Sequence, residues 1–106
     1  MKKQNCDSEV LKDGVTPHAD DEEVARLAAA LGHASRVAIV RLLREREVCV
    51  CGEIVEQLPL AQSTVSQHLK VLRDAGWICG EMDGTRVCYH LDKKTLQRFG
   101  ALIQAL

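Results

Sequence analysis

The stretch AQSTVSQHLKVLRDAG, residues 61–76, decides the fold of this chain. Val65, Leu69 and Leu72 recur at the i, i+4 and i+7 spacing of an α-helix, which predicts a helix with one apolar face. Gly76 is the predicted end of this helix, because glycine readily takes the left-handed conformation that follows a helix. The opposite face is rich in amides and hydroxyls and is therefore free for solvent or a partner.

A β-hairpin is predicted directly after this helix, in WICGEMDGTRVCYHL at residues 77–91. Asp83-Gly84 is a strong two-residue turn signal, since a type I′ turn needs positive φ at both central positions. With this loop, we expect Cys79 directly opposite Cys88. Side chains alternate along a strand, so two faces follow. The expected apolar face holds Ile78, Met82, Val87 and Tyr89, and the outer face holds Cys79, Glu81, Arg86, Cys88 and His90.

The rest of the chain predicts four more helices and a polar N-terminal arm. Residues 1–19 contain glycine, proline and many polar side chains without a sustained period, so we expect a flexible arm. Apolar residues at helical spacing predict helices that begin near Asp20, Ala34 and Gly52, and a last helix within 93–106. The predicted fold class is mainly α with a small β-hairpin. It is a winged helix-turn-helix with five helices and a two-stranded wing, in one domain over residues 20–106.

The composition indicates a folded protein without a membrane segment. The apolar content of 46% fits a globule, and no apolar run approaches the ~20 residues that a membrane-crossing helix needs. Lys2 and Lys3 are followed by polar residues, so we predict no signal peptide and a cytoplasmic location. Five cysteines in that reducing compartment favour metal or redox chemistry over a disulfide framework. No catalytic grouping or phosphate loop is recognised, so we expect no enzyme.

The charge distribution and the polar face of the 61–76 helix favour binding to double-stranded DNA. Residues 1–23 carry seven acidic and three basic side chains, whereas residues 24–106 carry eight acidic and eleven basic ones, so the folded part is mildly basic. Amides and hydroxyls near the start of a helix can hydrogen-bond base edges and phosphates. The alternative is an ordinary solvated helix face. The candidate DNA-binding residues on this helix are Gln62, Ser63, Thr64, Ser66, Gln67 and Lys70.

Cys49 and Cys51 stand two residues apart at the entry to the third predicted helix. In an extended chain such side chains point the same way, and exposed N–H groups at a helix start lower a thiol pKa. Two thiolates in this arrangement form a two-point site for a soft metal ion. The alternative is two small buried apolar residues, which is a common role of free cysteine.

Three segments resemble the ArsR/SmtB family of metal- and stress-sensing repressors. LAQSTVSQHLKVLRDAGWI is similar to that family's recognition helix, DGTRVCYHL to its wing, and VCVCGE to its metal-binding box. The resemblance covers residues 20–106 and implies a homodimer that binds operator DNA, with the first and last helices as the dimer surface. It implies DNA contacts by Gln62, Ser63, Ser66 and Gln67, and backbone contacts by the wing at Gly84 and Arg86. Ala61 departs from the family, which often has a serine N-cap there; alanine cannot accept the cap hydrogen bond.

The resemblance also implies an inducer bound by thiolates. Family members that sense zinc or cobalt carry their ligands on the last helix, which here offers Asp92 but no histidine, so we expect trivalent arsenic or antimony. Arsenic takes three thiolates, and in the shorter arsenic box the third cysteine stands at the position of Ile54. Cys6 on the arm is therefore the expected third ligand, beside Cys49 and Cys51. Related cadmium and lead sensors use two arm cysteines, and this arm has one.

Other functions remain open from the sequence. Cys79 and Cys88 on the wing are a possible second thiol site, as a reversible disulfide or a soft-metal site, or a chance pair. A cadmium or lead sensor is one alternative to the arsenic sensor. A repressor of the same fold that senses thiol oxidation or persulfide is another, and a metal-sequestering protein is the third.

Overall fold

The structure, a computed structural model, describes residues 18–47 and 49–106, with residues 49–51 described by their backbone alone. Cys6 and nearly all of the predicted arm lie outside the described residues. Within these ranges no helix is long and apolar enough to cross a bilayer. The helices are α1 (Ala19–Ala30), α2 (Ala34–Glu45), α3 (Cys51–Gln57), α4 (Gln62–Ala75) and α5 (Lys93–Gln104). The strands are β1 (Cys49–Val50), β2 (Ile78–Asp83) and β3 (Arg86–Leu91).

Five helices and an antiparallel hairpin in this part of the chain confirm the predicted mainly α fold class. The end of α4 is at the predicted place. Gly76 takes φ +96°, and the Trp77 amide donates to the Leu72 carbonyl over 2.9 Å. The start of α5 is fixed by Asp92, whose carboxylate accepts from the amides of Lys94 and Thr95 at 3.1 and 3.3 Å.

Trp77, two residues after the end of α4, packs at the centre of the core. Its side chain is fully buried, its Nε1 donates to the Leu27 carbonyl of α1 over 3.0 Å, and its ring meets Phe99 of α5 edge-on at 5.4 Å. The buried indole therefore has its polar atom satisfied while it packs between α1 and α5. The core around it is mostly aliphatic: Leu27, Ile39, Leu43, Ile54, Val65, Leu69, Leu72, Ile78 and Leu91. This packing fixes the orientation of α4 relative to the hairpin.

The hairpin carries a third strand that the sequence did not predict. β1 pairs antiparallel with β3, and the sheet order is β1-β3-β2. Cys49 is paired with Tyr89, and Val50 with Cys88. The two residues of β1 precede the short helix α3, so periodicity alone cannot show a strand of this length. The C-x-C segment is therefore attached to the central strand of the sheet.

The predicted register of the hairpin is wrong by two residues. Cys79 is paired with His90, not with Cys88, and Glu81 is paired with Cys88. The loop residues are Gly84 and Thr85, because Asp83 still pairs with Arg86. Gly84 takes φ +68°, and no other residue of the described loop has positive φ, as in a type II′ turn. This turn puts the positive φ on glycine alone, whereas a type I′ turn at Asp83-Gly84 would also demand it of aspartate.

A shift of two residues keeps every side chain on its predicted face, because strand side chains alternate with period two. Cys79, Glu81, Cys88 and His90 still share the outer face. Ile78 is buried on the inner face as expected. Met82 is 68% exposed, which corrects its predicted place in the apolar packing, because it lies near the hairpin tip beyond the reach of the core.

Candidate DNA-binding surface and cysteine site

The two faces of α4 separate as the sequence predicts. Five residues on one side are buried: Val65, His68, Leu69, Leu72 and Ala75. The candidate DNA-binding residues lie on the other side, where Gln62, Ser63, Ser66, Gln67 and Lys70 are exposed and Thr64 is half-buried. Lys70 Nζ lies 3.1 Å from Asp74 Oδ2 in an exposed pair of the i, i+4 type. Such a pair contributes little to stability, so the lysine remains available to a phosphate.

A cleft of about 500 Å³ lies between α4 and the hairpin. It brings together three of the candidate residues, Gln62 and Ser66 from α4 and Arg86 from β3. Ser63, Thr64, Gln67 and Lys70 do not line this cleft. Four further lining residues were missed by the sequence reasoning: Gly52, Thr85, Val87 and Tyr89. Alternation on β3 was the available signal for Val87 and Tyr89, which were assigned only to apolar packing.

His68 anchors the buried side of α4 to the start of α2. Its Nδ1 lies 3.3 Å from Arg36 Nη1, and its ring centroid lies 4.5 Å from that of His33. Arg36 also donates from Nε to the Ala30 carbonyl over 2.6 Å, and His33 caps α2 by accepting from the Ser35 amide. His68 is therefore a packed residue whose ring nitrogen lies within hydrogen-bonding distance of Arg36.

The environment of His68 favours the neutral form of its ring. Burial lowers its pKa below the ordinary value of 6.5, and the nearby His33 and Arg36 lower it further. Arginine can only donate, so Nδ1 of His68 must accept and the proton must sit on Nε2. That Nε2 is buried without a hydrogen-bond partner. Neither nitrogen is then available as a metal ligand without breaking the contact with Arg36.

The candidate cysteine ligands lie at two described places, the C-x-C segment and the wing, and Cys6 lies outside the described residues. Cys49 is the first residue of β1, which pairs with β3, and Cys51 is the first residue of α3. Ile54, at the position of the third cysteine in the shorter arsenic box, is fully buried in the core. Among the side chains that the structure describes, no group of three histidine, cysteine or acidic residues is arranged to hold a metal ion.

Cys79 and Cys88 on the wing are free thiols and half-buried. The observed register makes them diagonal rather than opposite neighbours. Diagonal positions in a sheet are typically ~7–8 Å apart, beyond the usual Cα separation of a disulfide. The register therefore disfavours the disulfide that the predicted pairing suggested.

Comparison with known proteins gives a consistent picture. The family model for "Bacterial regulatory protein, arsR family" matches residues 33–78. The "HTH-type transcriptional repressor SmtB" of Mycobacterium tuberculosis is 44% identical over 70 residues, which cover 66% of this chain and 51% of that protein. The chain thus spans about half the length of that relative. The "Biofilm growth-associated repressor" of Xylella fastidiosa is 34% identical over 100 residues, with 87% of each chain covered.

A solved structure supports the fold. The crystal structure of a "Possible transcriptional regulator for arsenical resistance" matches with a TM-score of 0.67 at 30% identity, covering 76% of this chain and 81% of the other. The matched proteins are transcriptional regulators, which confirms the prediction that the chain is not an enzyme.

Proposed function

Because the chain belongs to the ArsR family of bacterial regulatory proteins, we propose that it represses transcription as a cytoplasmic homodimer bound to operator DNA. The observation that carries this proposal is the cleft between α4 and the wing, lined by Gln62, Ser66 and Arg86. Release from DNA by trivalent arsenic or antimony, bound to cysteine thiolates, is the second part of the proposal.

The exposed face of α4 has the chemistry to read DNA. An α-helix fits the major groove, and the amide of Gln62 or Gln67 can make a paired hydrogen bond to adenine. Ser63 and Ser66 can bond either bases or phosphates. Arg86, on the wing side of the cleft, supplies a cation for the phosphate backbone. The arrangement thus divides the work between a helix that reads bases and a wing that holds the backbone.

The dimer would form through α1 and α5. Arg98 of α5 bonds Glu23 of α1 at 2.8 Å and Asp20 at 3.3 Å, so the two helices present one continuous surface. Ile103 is 41% exposed and Leu106 is 84% exposed at the end of that surface. A second copy related by two-fold symmetry would cover them. It would also place two α4 helices on half-sites about 34 Å apart.

The inducer site would use Cys49, Cys51 and Cys6. The donor chemistry fits, because thiolates select soft ions and two of them stand two residues apart at the β1–α3 junction. α3 itself offers no third thiol, because the position of the third cysteine in the shorter arsenic box holds Ile54, which is buried in the core. The similarity to a structure described as a regulator for arsenical resistance favours arsenic over cadmium or lead.

The DNA-binding part is tested with a duplex that the wild-type protein selects from a random-sequence pool. Replacing Ser66 and Gln67 together with alanine removes two exposed polar groups and should weaken binding to this duplex by about 5- to 150-fold, as expected for ~1–3 kcal/mol of lost contacts. Gln57→Ala, an exposed glutamine on α3, is the matched control. An unchanged dissociation constant in the double variant would remove these residues from the interface.

The inducer part is tested on the same duplex. Arsenite under reducing conditions should release the wild-type protein, and Cys49→Ser or Cys51→Ser should still bind DNA but no longer be released. Release by an oxidant alone would favour the thiol-redox or persulfide-sensing repressor, and release by cadmium or lead but not arsenite would favour that metal sensor. Metal binding without any selected duplex would leave the metal-sequestering protein.

A further inference from the structure

Tyr89 belongs to both candidate sites. Its Cα is paired with Cys49 of β1 on one side of β3 and with Gly80 of β2 on the other. Its side chain also lines the cleft that contains Gln62 and Ser66. One residue is therefore paired with the C-x-C segment through the backbone and lines the same cleft as two residues of α4.

The position of the Tyr89 ring is set by its neighbours on the inner face of the sheet. A Cβ added at Gly80 would lie 3.1 Å from Cε1 of Tyr89 and 3.3 Å from Cγ1 of Val87. The ring thus lies over the Gly80 backbone, in space that any larger residue would take. Because the ring is packed in this way, a displacement of the Tyr89 backbone moves the ring with it.

Gly52 brings the cysteine segment to the same cleft from the other direction. It follows Cys51 directly in α3 and lines the cleft together with Tyr89. Tyr89, which is paired with Cys49, and Gly52, which follows Cys51, therefore form one wall of the cleft that Gln62 and Ser66 also line. Only one β-pairing and one peptide bond separate the two cysteines from this wall.

Resting on the proposed function, we propose that Tyr89 is the positioning residue that couples the cysteine site to the DNA-binding cleft. When Cys49 and Cys51 are held together as ligands, the β1–β3 pairing transmits the shift of Cys49 to Tyr89. The ring then alters the separation of α4 and the wing. Coupling between two such sites typically changes affinity by about 5- to 150-fold.

A spectroscopic experiment tests the first step without DNA. The chain has one tyrosine and one tryptophan, so 3-fluorotyrosine reports Tyr89 alone and 5-fluorotryptophan reports Trp77 alone. One equivalent of arsenite should shift the fluorine resonance of Tyr89 and barely move that of the fully buried Trp77. Cys49→Ser should abolish the shift. If thiolate–arsenic absorbance shows binding while the Tyr89 resonance stays in place, the proposal is overturned.

A binding experiment tests the second step. The readout is the ratio of the dissociation constants for the selected duplex with and without arsenite. Tyr89→Leu should reduce this ratio at least about 5-fold from the wild-type value, whereas Tyr89→Phe, which retains the ring, should preserve it. Thr85→Val is the matched control, because Thr85 lines the same cleft at the hairpin turn but is not paired with the cysteine segment. It should change DNA affinity but keep the ratio.

The outcomes separate this proposal from the proposed function. If arsenite fails to release the wild-type protein, the proposed inducer response is wrong. If the wild type is released and Tyr89→Leu keeps the wild-type ratio, Tyr89 does not couple the sites and the repressor function stands. If Tyr89→Leu does not fold, the fluorine experiment still tests the proposal, because it uses the wild-type chain.

Discussion

The buried His68 of α4 makes the stability of the folded protein depend on pH. Burial lowers the pKa of its ring in the folded protein, and the nearby His33 and Arg36 lower it further, so folding favours the neutral form. In the unfolded chain the ring has the ordinary pKa of about 6.5. As pH falls through that value, the unfolded state takes up a proton that the folded state does not, so the free energy of unfolding decreases. The stabilisation is complete above this pH and is lost on acidification.

We therefore predict that the protein loses stability as the pH falls from 7 towards 5. One proton of difference contributes at most about 1.4 kcal/mol per pH unit. His68→Gln should flatten this part of the profile, measured by urea unfolding at several pH values. A measurement at pH 8 separates the intrinsic effect of the substitution from the proton linkage. Equal slopes for the wild type and the variant would show that His68 is not the titrating group.

The third thiolate is the other question at the scale of residues. Cys88 is close to the C-x-C segment, but the register pairs it with Val50 rather than with either cysteine. Cys79 is on the far strand, paired with His90. Both belong to a sheet held by β-pairing and by the buried Ile78 and Leu91, so neither can move freely to the cysteines.

We predict that Cys6→Ser weakens arsenite binding and response markedly, whereas Cys79→Ser and Cys88→Ser change them little. X-ray absorption on each arsenite-loaded variant counts the sulfur ligands directly. The wild type and the wing variants should show three sulfurs, and Cys6→Ser should show two. Three sulfurs in Cys6→Ser and two in Cys88→Ser would assign the third ligand to the wing.

At the scale of elements, α4 begins without a side-chain cap. Ala61 has the extended backbone of an N-cap, at φ −67° and ψ 151°, but its side chain accepts no hydrogen bond. The first amides of the helix thus lack a partner that a serine or threonine would provide. Alanine stands here at the position where the resembled family often has a serine N-cap.

An oxygen at position 61 should stabilise the protein. Ala61→Thr should raise the free energy of unfolding by about 1 kcal/mol, which corresponds to a Tm increase of roughly 4–8 °C in a domain of this size. Ala61→Val has nearly the same shape without the oxygen and serves as the control. Calorimetry on both variants gives the comparison. Equal Tm values would show that the cap position gains nothing from a hydrogen bond.

At the scale of the whole molecule, the surface of α1 and α5 leaves apolar groups in solvent. Ile103 and Leu106 are exposed at its end, and a groove of about 310 Å³ beside Leu106 is also lined by the half-buried Val24, the buried Leu102 and acidic residues of the first helical turn. Large exposed apolar side chains that adjoin one another are typical of an interaction surface. The proposed two-fold dimer would bury them.

Introducing charge on this surface should break the dimer. The double variant Ile103→Glu/Leu106→Glu would bury two carboxylates in the interface, at a cost of several kcal/mol. Light scattering should give about twice the chain mass of 11.7 kDa for the wild type and the single mass for the variant. Met82→Glu adds charge at the exposed wing tip and should remain dimeric. A variant that stays dimeric would locate the interface elsewhere.

The sequence by itself determined the helices, the hairpin and the exposed polar face of α4. These depend on the local spacing of apolar residues and on residues such as Gly76. Its left-handed conformation ends α4 whatever the tertiary contacts around it. The outer face of the wing was also predictable, because alternation survives an error of two residues in the register.

Only the tertiary structure decided where distant segments meet. The pairing of Cys49 with Tyr89 depends on a two-residue strand, which has no period of its own and exists only because β3 is beside it. The turn moved to Gly84-Thr85 because the whole sheet could place positive φ on glycine alone. The cleft between α4 and the wing, and the contact of His68 with Arg36 and His33, likewise come from packing between elements far apart in the chain. Such contacts are set by the shape of the folded core, which local spacing does not encode.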